Sequence, residues 1–322
     1  VLAASVCVAF ASIFLSQLSS ITPDVTWSVL AAHFHGTVVD DRIAELVVWE
    51  YNVPRAIMGV VCGAGLAVGG AVMQSLMRNP LADPYTTGVA SGASFGATLA
   101  IGLGITVTGS AGSLGLILTA FFFSLIPAAV IIMVSSLRNT SAATMILAGI
   151  AVMYLFNACT TLIKLGISDE SLSAVFQWSV GDLSQVTWSN CAVMCLFTVA
   201  GTAVLMAMSK KLNILITGDK NATALGLNAH RLRIVLLIII SLMVASVVCF
   251  TGIIGFIGLV APHIVRIFLG SDNRYLIPAS AAFGAVLLMV ADLISRVEGV
   301  ITAFIGCPMF LYLLIKQRRS MW

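Results

Sequence analysis

Apolar runs of about 20 residues recur along the chain, separated by short polar links, and no other feature narrows the available folds as much. A run of that length matches an α-helix crossing a hydrocarbon layer about 30 Å thick. Within that layer each backbone N–H and C=O must be paired inside the segment, so spanning runs are read as helices. Charge agrees with this reading. Charged residues make up 9% of the 322, whereas a soluble domain carries about 25% and needs them to wet its surface. The expectation is an all-α integral membrane protein.

About ten spans are expected, near 1–18, 54–77, 85–104, 113–135, 142–164, 189–209, 232–250, 252–270, 275–295 and 299–315. The first run, Val1 to Leu18, has the apolar core of a signal peptide, but no A-x-A-like cleavage site closes it, so it is read as a span. The whole is read as one transmembrane domain, 1–322, with external segments near 21–52 and 168–184 and a cytoplasmic segment near 213–230. Ten spans put both termini on one side. That side collects Arg78, Arg138, Lys210, Lys211, Lys220, Arg231, Arg233, Arg266, Arg274, Lys316, Arg318 and Arg319. Only Arg42, Arg55, Lys164 and Arg296 fall opposite. The excess of basic residues marks the cytoplasmic side, so both termini are expected inside. The seven cysteines lie in apolar stretches and are read as small packing residues, not disulfides.

Glycines such as Gly59, Gly63, Gly65, Gly69, Gly70, Gly88, Gly92 and Gly96 are expected to let helices approach closely. Four other segments depart from lipid-facing helix. RNPLADPY, Arg78 to Tyr85, places two prolines four residues apart, and each forbids continuous helix. It is either an ordinary loop or non-helical backbone beside a protein-lined path. ITGDKNATALGLNAHRLR, Ile216 to Arg233, reads as two short helices split at Leu225–Gly226, and so as a docking surface or a solvated loop. TGIIGFIGLVAPHIVR, Thr251 to Arg266, thins the start of a span with three glycines, and its His263 is read as a hydrogen-bonded structural residue before a proton relay. Arg55 and Arg296 sit at the external rim, as lipid anchors or as cations for a partner's carboxylates. Asp292, one turn before Arg296, is expected to pair with it.

No G-x-x-x-x-G-K-[ST] phosphate loop and no H-E-x-x-H pair occurs, and no G-x-S-x-G nucleophile elbow is expected. ATP hydrolysis, if any is used, therefore belongs to another chain. His33 and His35, without a nearby third ligand, are read as solvent-exposed, and no metal site is expected. An ion-coupled secondary transporter would need acidic relays inside helices, and only Asp292 qualifies. A membrane-embedded enzyme would need a convergent catalytic set, and no catalytic residue is named.

Several long motifs resemble one family in fixed order. They are VVWEYNVPR, GAVMQSLMRNPLADPYTTGVASGASFGA, ILAGIAV, QWSVGDLSQVTW, ATALGLNAHRLR, GFIGLVAPHIVR and ITAFIGCPMFLYLL. Together they are similar to the FecCD-like permeases, the type II ABC importers for iron-siderophores, haem and vitamin B12. The resemblance implies a BtuC-like permease fold of ten helices in the cytoplasmic (inner) membrane of a bacterium or archaeon. It implies a homodimer (a heterodimer is the alternative), two cytoplasmic ATPase subunits that use ATP and Mg, and an external substrate-binding protein. Ferric siderophore is the first expected ligand, then haem, then cobalamin; this chain itself is expected to bind no cofactor and no nucleic acid. By position, Asn79 and Leu81 match the family's cytoplasmic gate, and Ser141 and Ala142 a second gate segment. Gly218, Asp219, Ala224, Leu225, Gly226 and Leu227 match the coupling helices that sit on the ATPase. Arg55 and Arg296 match external arginines that meet glutamates of the binding protein. Two departures stand out: Asn52 replaces an arginine common in the family's R-x-P-R motif, and only Val297 and Glu298 separate Arg296 from Gly299 where a longer segment ending E-L-P-x-G is usual.

Overall fold

The apolar runs fold as helices, and among the described residues no strand forms. The computed structural model describes residues 2–14, 21–109, 112–137, 142–184, 186–294 and 298–316. In chain order the helices are α1 (Leu2–Phe14), α2 (Pro23–His35), α3 (Arg42–Glu45), α4 (Val53–Met77), α5 (Val89–Leu103), α6 (Ser113–Leu137), α7 (Ala142–Lys164) and α8 (Asp169–Val180). There follow α9 (Trp188–Ala207), α10 (Ser209–Ile216), α11 (Asp219–Ala224), α12 (Ala229–Thr251), α13 (Ile257–Leu269), α14 (Asn273–Ile294) and α15 (Glu298–Lys316).

Six helical stretches are long and apolar enough to cross a membrane: Arg42–Met77, Ser113–Ser136, Thr144–Lys164, Trp188–Ala207, Ala229–Thr251 and Asn273–Ile294. Four shorter apolar helices, Ala3–Phe14, Val89–Leu103, Ile257–Leu269 and Val300–Met309, fall within the other expected runs. Among the described residues no disulfide forms, and Cys62, Cys191 and Cys249 are buried.

Two polar stretches are more ordered than expected. Within 21–52 the chain forms α2 and then α3, which runs through a π-helical stretch, Leu46–Asn52, directly into α4. The wide turn accommodates Pro54: the Val53 N–H reaches back to the Val48 carbonyl, and the proline has no N–H to place. Within 168–184, the Ser168 hydroxyl caps the Ser171 N–H and starts α8, with Asp169 and Glu170 in its positive first turn. The thin start expected for the span at 252–270 is also a real break. Helix α12 stops at Thr251, Gly252 takes φ +69° and Phe256 φ +66°, and α13 begins only at Ile257.

Helix α4 is the centre of the bundle, buried along almost all its length from Val53 to Met77. It packs against α9, α12, α13 and α14. The approach is close enough to exclude side chains. A Cβ placed at Gly70 would overlap the Gly258 carbonyl, and one at Gly63 would overlap the Gly284 carbonyl. Helix α5 meets α6 the same way, where a Cβ at Gly96 would stand 2.6 Å from the Thr119 oxygen. Lipid tails are as apolar as leucine, so helices associate here through dispersion, which demands such contact.

Gly70→Ala is therefore expected to push α13 off α4 and cost about 1–3 kcal/mol. Gly255→Ala, where an added Cβ meets nothing within 4 Å, should stay within about 0.5 kcal/mol of the parent. Thermal unfolding in detergent compares the two; equal midpoints would contradict the packing argument.

Candidate functional site

One end of α4 is closed by a turn with unusual backbone. Arg78 takes φ +49°, a left-handed geometry that few non-glycine residues adopt. Its N–H reaches Ser75 O at 3.3 Å, and the Asn79 N–H reaches Gln74 O at 3.1 Å, so the open carbonyls of the helix end are used. The Asn79 side chain then turns the chain, its Oδ1 accepting from Leu81 N–H at 3.0 Å. The Asp83 carboxylate accepts from Tyr85 N–H at 2.8 Å and starts a 3-10 turn, Pro84–Thr87. The Tyr85 hydroxyl donates to Ile254 O at 3.0 Å, fastening the turn to the link between α12 and α13. Leu81 remains 39% exposed, an apolar side chain at the tip of an ordered turn.

The expected coupling segment lies beside it. Gly218 takes φ +110° and starts α11; Gly226 takes φ +77° and ends the turn that leaves it. A Cβ added at Gly218 would stand 3.3 Å from Arg78 Nη1. Asp219 receives Arg233 in a fork, Nη1 to Oδ2 at 2.8 Å and Nη2 to Oδ1 at 2.6 Å. These bonds hold the Asp219 carboxyl below the usual carboxylate range, and the nearby charges of Arg233 and Arg78 add to it. Ala224, Leu225 and Gly226 are exposed and Leu227 is partly so. Asp219, Thr223, Gly226, His230 and Arg233 line an open groove of about 570 Å³. The two short helices expected here are corrected to one. After Gly226 the Asn228 side chain caps the Arg231 N–H and starts α12, which runs unbroken from Ala229 to Thr251, so the second helix is the start of a span.

At the opposite end of α4, Arg55 is 7% exposed. Its Nε donates to Asp292 Oδ1 at 2.6 Å, and its Nη1 lies 3.7 Å from Asp182 Oδ1. Asp182 also accepts from the Ser184 N–H and hydroxyl, and its own N–H donates to Thr251 O. This differs from an open docking cation: the guanidinium is committed within the chain. Asp292, for which Arg296 is the expected partner, pairs with Arg55; Arg296 itself lies outside the described residues. A contact between residues 237 apart leaves no trace in local sequence.

The remaining expected residues divide plainly. Ala142 is the first residue of α7, the helix whose Gly149 packs on Thr86 and Thr87 of the turn after Leu81. Ser141 and Arg296 lie outside the described residues. His263 is buried within α13, 2% exposed, and among the described residues its Nδ1 has no hydrogen-bond partner, which differs from the expected hydrogen-bonded histidine. His33 is half-buried, not solvated: it stacks on Trp49 at 4.0 Å with Nε2 3.6 Å from Glu45. GASFG, Gly92 to Gly96, matches the G-x-S-x-G pattern, but it lies inside α5 with both glycines against α6. A nucleophile elbow needs a strand-to-helix turn, and none is there.

Glycine-packed helices of spanning length, with ordered non-helical turns beside a central helix, define a multi-pass integral membrane protein. The profile of the FecCD transport family matches residues 4–316. The cobalamin import system permease protein BtuC of Halobacterium salinarum is 38% identical over 278 residues, covering 84% of this chain and 74% of that protein. The hemin transport system permease protein HmuU of Yersinia pestis is 34% identical, covering 85% of this chain and 84% of that protein. A solved inward-facing conformation of a metal-chelate type ABC transporter matches with a TM-score of 0.83 at 28% identity, over 98% of this chain and 97% of that one. The chain belongs to the FecCD family and is a permease subunit of an ABC importer.

The buried pair yields a test. Asp292→Ala removes the carboxylate that accepts from Arg55 Nε at 2.6 Å and should destabilise the fold by about 3–5 kcal/mol. The double variant Arg55→Met, Asp292→Leu should lose much less, because no buried charge is stranded. Denaturation of the parent and the two variants decides; a double variant that loses as much as Asp292→Ala, or more, would contradict the dependence of the two side chains on each other.

Proposed function

We propose that this chain forms the substrate pathway of an importer driven by separate ATPase subunits. Two copies pair around one two-fold axis, each with ten spans and both termini in the cytoplasm. The basic residues gathered on one side support that orientation. Two ATPase subunits, using ATP and Mg, sit under α11 and its flanking turns, Gly218 to Leu227. This chain does no covalent chemistry and carries no cofactor of its own. The membrane is the cytoplasmic membrane of a bacterium or archaeon. A binding protein delivers a ferric siderophore to the external face. Haem and cobalamin are the alternatives, in keeping with the names of the two relatives. Arg296 is the cation offered to the binding protein's carboxylates, and Arg55 braces that face from within.

The observation that carries this reading is how close the two segments lie. Arg78 opens the turn that holds Asn79 and Leu81, and its Nη1 would stand 3.3 Å from a Cβ added at Gly218, near enough for its charge to act on Asp219. When the ATPases close on ATP, displacement of α11 moves Arg78 directly and shifts the turn behind it. One such turn from each copy, meeting across the axis, forms a gate with Asn79 and Leu81 at its rim and the Ser141–Ala142 segment behind it. The exposed Leu81 supplies an apolar closure that water does not cross. An ion-coupled carrier is less well supported, because Asp292, its best candidate relay, is held by Arg55.

Leu81→Cys, in a background without the seven native cysteines, is expected to crosslink between the two copies with a yield that changes when an ATP analogue binds the complex. A yield indifferent to nucleotide, with uptake retained after crosslinking, removes this turn from the pathway.

A further inference from the structure

A second, partly buried connection runs between the same two regions through side chains to which the sequence reading gave no role. Asn213 lies on α10, the helix directly ahead of α11. Its Oδ1 accepts from both the backbone N–H and the Nδ2–H of Asn273, each at 2.9 Å. Its Nδ2 donates to Asp272 Oδ1 at 2.7 Å. Asp272 is itself held by the Nε and Nη2 of Arg274. Asn273 opens α14 and is fully buried; its Oδ1 accepts from the hydroxyl of Ser75, also fully buried, at 2.9 Å. Ser75 stands in the last turn of α4, and its carbonyl accepts from the N–H of Arg78. The chain of bonds therefore begins five residues before Gly218 and ends on the first residue of the gate turn.

Buried polar groups are paired almost everywhere, so satisfaction alone would account for single bonds. It does not account for their arrangement. Three helices from distant parts of the sequence meet through amides whose donors and acceptors are used in one register. Apolar side chains would fill this space without the cost of desolvation, but they could slide. A hydrogen-bonded amide pair resists sliding, and so passes a displacement of α10 on to α14 and α4 with little loss.

We propose that Asn213, Asn273 and Ser75 are positioning residues that carry motion of the coupling segment to the gate turn. The inference rests on the gate reading above and adds a route that enters the turn through the Arg78 backbone, independent of the Arg78 side chain.

The test uses the assembled complex of permease and ATPase in lipid nanodiscs, with the Leu81→Cys reporter and an ATP analogue as probe. Ser75→Ala removes one hydroxyl and leaves Asn273 Oδ1 without its donor. It is expected to shrink the nucleotide-dependent change in crosslinking by about threefold or more, while the complex still assembles and hydrolyses ATP. Asn213→Leu should do the same from the other end, and Ser75→Thr, which keeps the hydroxyl, should restore the response. A fold defect would instead lower assembly and hydrolysis together. If Ser75→Ala and Asn213→Leu both keep the parental response, the relay is overturned. If the parent itself shows no response to nucleotide, the gate reading falls and the relay with it.

Discussion

Everything in this bundle depends on how closely helices approach α4. At Gly63 against Gly284, and at Gly70 against Gly258, there is no room for a Cβ. In lipid, where no hydrophobic drive separates helix from solvent, that contact supplies the dispersion energy that holds the bundle. It also makes α4 a fixed strut. Its middle is locked by α13 and α14, so its two ends are the places where a functional displacement can be admitted or resisted.

The ends are built differently. The end bearing Arg55 is closed by ionic bonds to Asp292 and Asp182, which tie α4 to α14 and to the chain after α8. A buried pair of this kind tolerates little change, because removing one partner strands the other charge. The end bearing Arg78 is closed by hydrogen bonds and a left-handed residue, beside an exposed leucine and two glycines at positive φ in the neighbouring segment. That contrast fits the proposed working of the importer, braced on one face and responsive on the other.

Much of this was legible in the sequence. Apolar runs specify spanning helices because the bilayer leaves the backbone no other way to pair its polar groups. Pro80 and Pro84 announced the turn after α4, and Gly218 and Gly226 the edges of the coupling segment, because those residue types restrict or free φ locally. What escaped is of another kind. The π-wound entry to α4, the partnership of Arg55 with Asp292, and the Asn213–Asn273–Ser75 bonds all depend on which helices become neighbours. Local periodicity carries no information on that. Asn213 looked like one more polar residue near a helix end, and Ser75 like a small residue in a packed helix. Only the fold brings them to one site.

The central claim is that ATP hydrolysis on separate subunits, transmitted through this chain, moves the solute. Proteoliposomes holding the permease with its ATPases, supplied with the binding protein outside, test it most directly. Labelled ferric siderophore, haem and cobalamin would be offered in turn, with ion gradients collapsed by ionophores. Uptake of one of them is predicted only when ATP is present on the ATPase side. Uptake that proceeds without ATP and follows an imposed proton or sodium gradient would contradict the account.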